Sequence, residues 1–217
     1  MGRIGSVPGQ EPGNKGQKYP AEVPTTDEMH AIIARCSARA PTGIRNRALL
    51  TLLYRSGLRV SEVLALRPSD VNLGAHTVRV LHGKGDKATT RGFHPSATDA
   101  LARWLDTRKG MAVRGPLFCT LAGRPLHAQY VRLMLHRLAA AAGVEKRVHP
   151  HGLRHTFAWE LEQAGVPVSV ISALLGHSSI AVTARYLNHL TNHQAVSALE
   201  AVDLPPLETS QQVGALA

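Results

Sequence analysis

Between residues 77 and 94 the hydrophobic period of the chain changes, and this limits the folds open to it. Thr77-Val78-Arg79-Val80-Leu81 alternates as a half-buried strand does, and Gly83-Lys84-Gly85-Asp86-Lys87 carries turn chemistry. Residues 89–94 can return as the partner strand, and Val71-Asn72-Leu73 is a short extended piece ahead of them. On both sides of this stretch the apolar residues recur at helical spacing. The expected fold class is therefore α+β, mainly α, with a small antiparallel sheet set among helices.

Thr25-Thr26-Asp27-Glu28 is a capping box, which predicts a helix running to about residue 38 with Met29, Ile32 and Ile33 on one face. Further helices are expected over about 44–56, ending at Gly57, and over about 60–66. After Pro95 they follow over about 96–108, 127–142, 151–164, 168–175, 179–187 and 192–201. Gly143, Gly165 and Gly176 stand where C-terminal caps belong, and Ser178 and Ser179 can cap the helix after them. Residues 1–24 are dense in Gly and Pro and read as a flexible tail or linker. Residues 25–202 read as one domain and 203–217 as a loose C-terminal tail.

A net charge of +10 on 217 residues points to a polyanionic partner, without separating DNA from RNA or an acidic membrane. Two cysteines, Cys36 and Cys119, read as reduced thiols of a cytoplasmic protein. No signal peptide is visible in the sequence, and no apolar run approaches the ~18 residues of a membrane span.

Phosphodiester chemistry needs cations on the non-bridging oxygens, a nucleophile, and a proton for the leaving oxygen. Arg59, in Ser56-Gly57-Leu58-Arg59, looks like a buried arginine. Arg154, in His151-Gly152-Leu153-Arg154-His155, is a second, and two guanidinium forks can hold one phosphate from two sides. His151 and Arg154, three apart near a helix start, share a face. His155 lies off that face and reads as a support for the site residues or as structural. His177 follows a helix-ending glycine, and Tyr186 lies nine residues further on. A tyrosine nucleophile exchanges one phosphodiester for another, so the step is reversible and needs no ATP. Lys84, or else Lys87, can protonate the leaving 5′ oxygen. The acidic residues form no two-metal cluster and the histidines no His-Glu-x-x-His motif, so neither metal nor cofactor is expected. Taken singly, each of these residues has an ordinary structural reading as a cap, a core residue or a solvated charge. Their joint order and spacing do not.

That joint pattern resembles the tyrosine recombinases, the lambda-integrase-like family, over about residues 25–200. Ser56-Gly57-Leu58-Arg59-Val60-Ser61-Glu62 is similar to the segment of the first catalytic arginine, with Glu62 as its support. Gly83-Lys84-Gly85 resembles the lysine hairpin, and His151-x-x-Arg154-His155 the second arginine's signature. Leu174-Leu175-Gly176-His177 and Tyr186 resemble the last histidine and the nucleophile. The resemblance implies site-specific breakage and rejoining of double-stranded DNA through a 3′-phosphotyrosyl bond, without metal, in a homotetramer on DNA. It makes Arg59, Lys84, His151, Arg154, His177 and Tyr186 the expected catalytic set. It also implies that a C-terminal helix over about 192–201 docks on a neighbouring subunit or packs on its own core.

Two departures stand out. The segment Lys87-Ala88-Thr89-Thr90-Arg91-Gly92-Phe93-His94-Pro95 is longer than the family's run from lysine to proline, which leaves Lys84 and Lys87 as alternatives. The residues ahead of Thr25 are too few for the family's N-terminal core-binding domain. The expectation is a catalytic-domain-only recombinase, a fragment or a decayed gene, with an accessory or core-binding protein as a possible partner. The rival activities are a non-catalytic DNA-binding remnant and a type IB topoisomerase-like DNA relaxase.

Overall fold

The computed structural model describes residues 23–81, 88–111 and 115–176. Their helices are α1 (Thr26–Ala34), α2 (Pro41–Ser56), α3 (Val60–Ala65), α4 (Thr98–Gly110), α5 (Ala128–Ala141), α6 (Pro150–Gln163) and α7 (Val168–Leu175). Strands β1 (Val71–Asn72), β2 (Thr77–Val80) and β3 (Thr89–Gly92) form one antiparallel sheet in the order β1-β2-β3. Val78 pairs with Val71 on one side and with Arg91 on the other. The expected class, mainly helical with a small antiparallel sheet, is what the chain adopts.

Helix α2 is the centre of the fold. Leu49, Leu50, Leu52 and Leu53 are all fully buried, and four such leucines in five positions cannot share one stripe. The helix is accordingly packed on several sides, by α1, α3, α4 and α6. Trp104 of α4 is fully buried beside it, with its indole N–H satisfied by the Leu117 carbonyl at 2.8 Å. A second, smaller apolar cluster lies between α6 and α7 and joins Phe157, Ala158, Ile171 and Leu175.

The first two helices depart from expectation at their junction. The capping box forms, with the Glu28 N–H donating to Thr25 Oγ1 at 3.2 Å and the Thr25 N–H to Glu28 Oε2 at 2.7 Å. But α1 stops at Ala34 instead of residue 38. The Ser37 hydroxyl accepts from the Arg39 and Ala40 amides, offering that backbone an alternative to the helix. Pro41, read from sequence as punctuation, is the first residue of α2, where its missing N–H costs nothing. Gly57, Gly143, Gly165 and Gly176 do lie at helix ends with φ near 60–80°. The predicted turn over 83–87, the helices over 179–187 and 192–201, the caps Ser178 and Ser179, and nearly all of both predicted tails lie outside the described residues.

Candidate active site

Three helix ends converge at Arg154. This residue is 2% exposed on the first turns of α6. Its Nη1 donates to the carbonyl of Gly57, which closes α2, and its Nη2 donates to that of Leu175 at 2.7 Å, which closes α7. The last carbonyls of a helix lack intrahelical partners and carry the negative end of its dipole, so a guanidinium between two such ends satisfies both. α7 has no basic residue in its own last turn. Arg91 of β3 supplies a second cation, donating through Nη1 to the Ala173 carbonyl at 2.8 Å.

The glycines make these approaches possible. Gly57 has φ +61°, and a Cβ there would stand 2.6 Å from Leu175 Cδ2 and 2.8 Å from Phe157 Cδ1. Gly176 has φ +66°, and a Cβ there would stand 2.1 Å from Arg91 Nη2. Ser56 completes the turn by donating to the Leu52 carbonyl at 2.6 Å. The Ser56-Gly57-Leu58-Arg59 motif is thus a helix stop that packs against α6 and α7, after which α3 begins.

Arg59 is not the buried arginine expected from sequence. It is the N-cap residue of α3, with a side chain 51% exposed. Leu58 turns into the core, and Arg59 after it caps α3 with its side chain outward. Glu62 supports it as expected. The Glu62 carboxylate accepts the Arg59 backbone N–H at 2.7 Å and its Nη1 at 2.9 Å.

His151 lies one turn before Arg154 on α6. Its ring and that of His155 meet edge to face, with centroids 4.5 Å apart. His155 therefore packs directly on His151 and is not off its face, because residues four apart on a helix are neighbours. His151 keeps contact with solvent, yet its pKa is pushed below the ordinary 6.5. Partial burial is the largest cause, followed by the positive fields of Arg154, His149 and Arg59. Both predicted arginines thus act on the imidazole of His151, and the ring favours its neutral form.

His149 is a residue that the sequence pattern did not single out. It is the N-cap of α6, with Nδ1 accepting the Gly152 N–H at 3.0 Å. The available signal was its place just before Pro150, a residue suited to the first helical position. Histidine is not among the usual capping residues, so the pattern is easy to miss.

Lys84, Lys87, His177 and Tyr186 lie outside the described residues. By sequence, Lys84 and Lys87 fall between β2 and β3, and His177 directly follows Gly176. Among the described residues no group of three His, Cys, Asp or Glu is arranged to hold a metal ion. No helix among them is long and apolar enough to cross a membrane.

The model of the phage integrase family matches residues 22–193. Tyrosine recombinase XerD of Lacticaseibacillus casei is 36% identical over 187 residues, which cover 84% of this chain and 63% of that protein. The fold is similar to the crystal structure of XerA recombinase, with a TM-score of 0.73 and 29% identity over 87% of this chain and 68% of that one. It is also similar to XerH site-specific recombinase bound to a palindromic difH substrate in a post-cleavage complex. There the TM-score is 0.68 and the identity 28%, over 83% of this chain and 54% of that one. The chain spans less than two thirds of the length of the curated relatives it matches first. Since the family model spans most of the sequence, including Arg59, His151 and Arg154, the chain belongs to the phage integrase family.

Proposed function

We propose that this chain is the catalytic domain of a site-specific DNA recombinase, cleaving and rejoining strands through a 3′-phosphotyrosyl intermediate. The observation that carries this reading is Arg154, fixed between the Gly57 and Leu175 carbonyls one turn after His151, with Arg59 two residues beyond Gly57 and outward-facing. Two guanidinium groups and one neutral imidazole are what a scissile phosphate and an incoming hydroxyl require. The half-exposed Arg59 can reach a non-bridging oxygen from solvent, while Arg154 is held rigid by its carbonyls.

In this reading the Tyr186 oxygen attacks phosphorus and forms the new P–O bond while the P–O5′ bond breaks. The electron pair leaves with O5′, and Lys84 gives it a proton. A phenol has a pKa of about 10, so its proton must leave during attack, and in this reading His151 or His177 receives it. Rejoining is the reverse, with a 5′ hydroxyl attacking the phosphotyrosyl bond. No metal or cofactor enters these steps. The partner is double-stranded DNA, which XerH carries as its difH substrate. A homotetramer on DNA, aided by a core-binding or accessory protein and acting in the cytoplasm, completes the proposal.

The test uses nicked duplexes carrying the sequences that flank the gene, resolved on a denaturing gel. A covalent protein–DNA band that disappears in Tyr186→Phe supports the reading. A band that persists in Tyr186→Phe removes Tyr186 as nucleophile. No band with any duplex, even after adding a core-binding domain, favours a DNA-binding remnant. Relaxation of supercoiled DNA without a defined site favours a relaxase.

A further inference from the structure

We infer that His149 is a positioning residue for this site: its imidazole caps α6 and so holds the turn that carries His151 and Arg154. The cap geometry is complete. His149 has extended backbone angles (φ −144°, ψ 160°), Pro150 follows at the first helical position, and Nδ1 takes the Gly152 N–H at 3.0 Å. The ring is half-buried and lies over Gly152. Pro24 Cδ and His149 Cε1 both stand 3.7 Å from where a Gly152 Cβ would be, so the entering chain and the ring cover the same glycine. Thr156 Oγ1 donates to the Pro24 carbonyl at 3.0 Å and anchors that entering chain to α6.

An imidazole differs from the usual capping groups in one respect. Ser, Thr and Asn accept an N–H at any ordinary pH, whereas Nδ1 accepts only while its lone pair is free of a proton. A protonated His149 would present an N–H to the Gly152 N–H, and would place a cation at the positive end of α6. The groups around it are themselves positive or titratable. Arg147 acts on it from the preceding segment, and the His151 ring is stacked at 6.4 Å. Arg154 and Arg59 act in turn on His151. On α1 the acid Glu28 is already paired with Lys146 at 2.9 Å. Burial and the Arg147 charge accordingly push the His149 pKa down, keeping the cap closed near neutrality. As pH falls, the cap opens and the first turn of α6 loosens with His151 on it.

The catalytic consequence rests on the recombinase reading, but the cap does not, so the two are tested separately. Amide and imidazole NMR spectra of the full chain are recorded from about pH 8 to pH 5. The Gly152 amide is expected to titrate with the His149 ring, at a midpoint below 6.5, and to lose that transition in His149→Ser. A Gly152 amide silent at the His149 midpoint, or unchanged in His149→Ser, overturns the proposal. Covalent-complex formation on the nicked duplex is the second readout. His149→Ala is expected to slow it about fivefold at neutral pH, with His149→Ser recovering most of the rate and holding it at acid pH better than the parent. Equal rates for Ala and Ser overturn the positioning role. If circular dichroism shows His149→Ser unfolded, His149→Asn, which also accepts an N–H, takes its place. A parent chain that forms no covalent complex defeats the recombinase reading, while the Gly152 titration still decides the cap.

Discussion

Arg154 donates through Nη2 to the carbonyl of Leu175 at 2.7 Å, so a guanidinium proposed to bind phosphate is also the lock on the end of α7. Its other terminal nitrogen serves Gly57, at the end of α2. Arg154→Lys is expected to fail in both roles, because a single ammonium cannot span two carbonyls on opposite sides. Charge-assisted hydrogen bonds in a buried site are worth about 1.5–3 kcal/mol each, so one lost bond predicts a destabilisation of about that size. Urea unfolding of the two proteins measures it.

Gly57→Ala tests the close packing of the Ser56–Arg59 turn. The new methyl would meet Leu175 and Phe157 at 2.6 and 2.8 Å, in a left-handed backbone conformation. The conformation alone costs an L-residue about 1–2 kcal/mol, and displaced side chains add to it. Thermal unfolding should show a lowered Tm, with the α6–α7 cluster losing amide protection first.

Arg91 and Gly176 form a second pair, in which a guanidinium lies where a Cβ would be. Gly176→Ala should expel Arg91 from the Ala173 carbonyl, and Arg91→Ala should remove the same contact from the other side. A cation at a helix end contributes about 0.3–1 kcal/mol. The double variant should therefore fall short of the sum of the singles, as contacting residues do. Full additivity in a double-mutant cycle would show the contact to be energetically idle.

Glu62→Gln separates support from stability. The Arg59–Glu62 pair is half exposed, and such pairs contribute at most about 1 kcal/mol. The Tm should barely move. Arg59 would lose a carboxylate that holds its guanidinium, so strand cleavage should drop at most about fivefold, the equivalent of about 1 kcal/mol of positioning. Single-turnover cleavage by the variant, with excess enzyme, reads this directly.

The histidines set a pH window for stability. His149 and His151 both have folded pKa values below 6.5, so below that pH the unfolded chain takes up protons more readily than the folded one. Stability from these two groups is fully present above 6.5 and declines as pH falls from there to the folded values. The urea midpoint should fall over that interval, and less so in His149→Ser than in the parent.

Much of this was legible in the chain because it depends on neighbours in sequence. The capping box at Thr25 and the alternation of residues 77–80 act within a few residues, and both appeared where they were read. The order Arg59, His151, Arg154 was also readable as a pattern. Arg154, read as buried, is buried, whereas the depth of Arg59 and the role of Pro41 were misread. Arg59 looked buried and is half exposed, because it caps the short helix α3 while its neighbour Leu58 takes the core side. Pro41 looked like a stop and is a start, because Ser37 ends the preceding helix by bonding its own loop.

The residue types, their spacing and the family pattern were determined by the sequence alone, since each acts over one or two turns of chain. That Arg154 closes α2 and α7, that Arg91 reaches across to Ala173, and that the Pro24 carbonyl is held by Thr156 of α6 were decided only by the tertiary structure. These contacts join groups as much as 132 positions apart, from Pro24 to Thr156. The arginine contacts depend on a helix end with unpaired carbonyls meeting a side chain from elsewhere, and no local period records such a meeting.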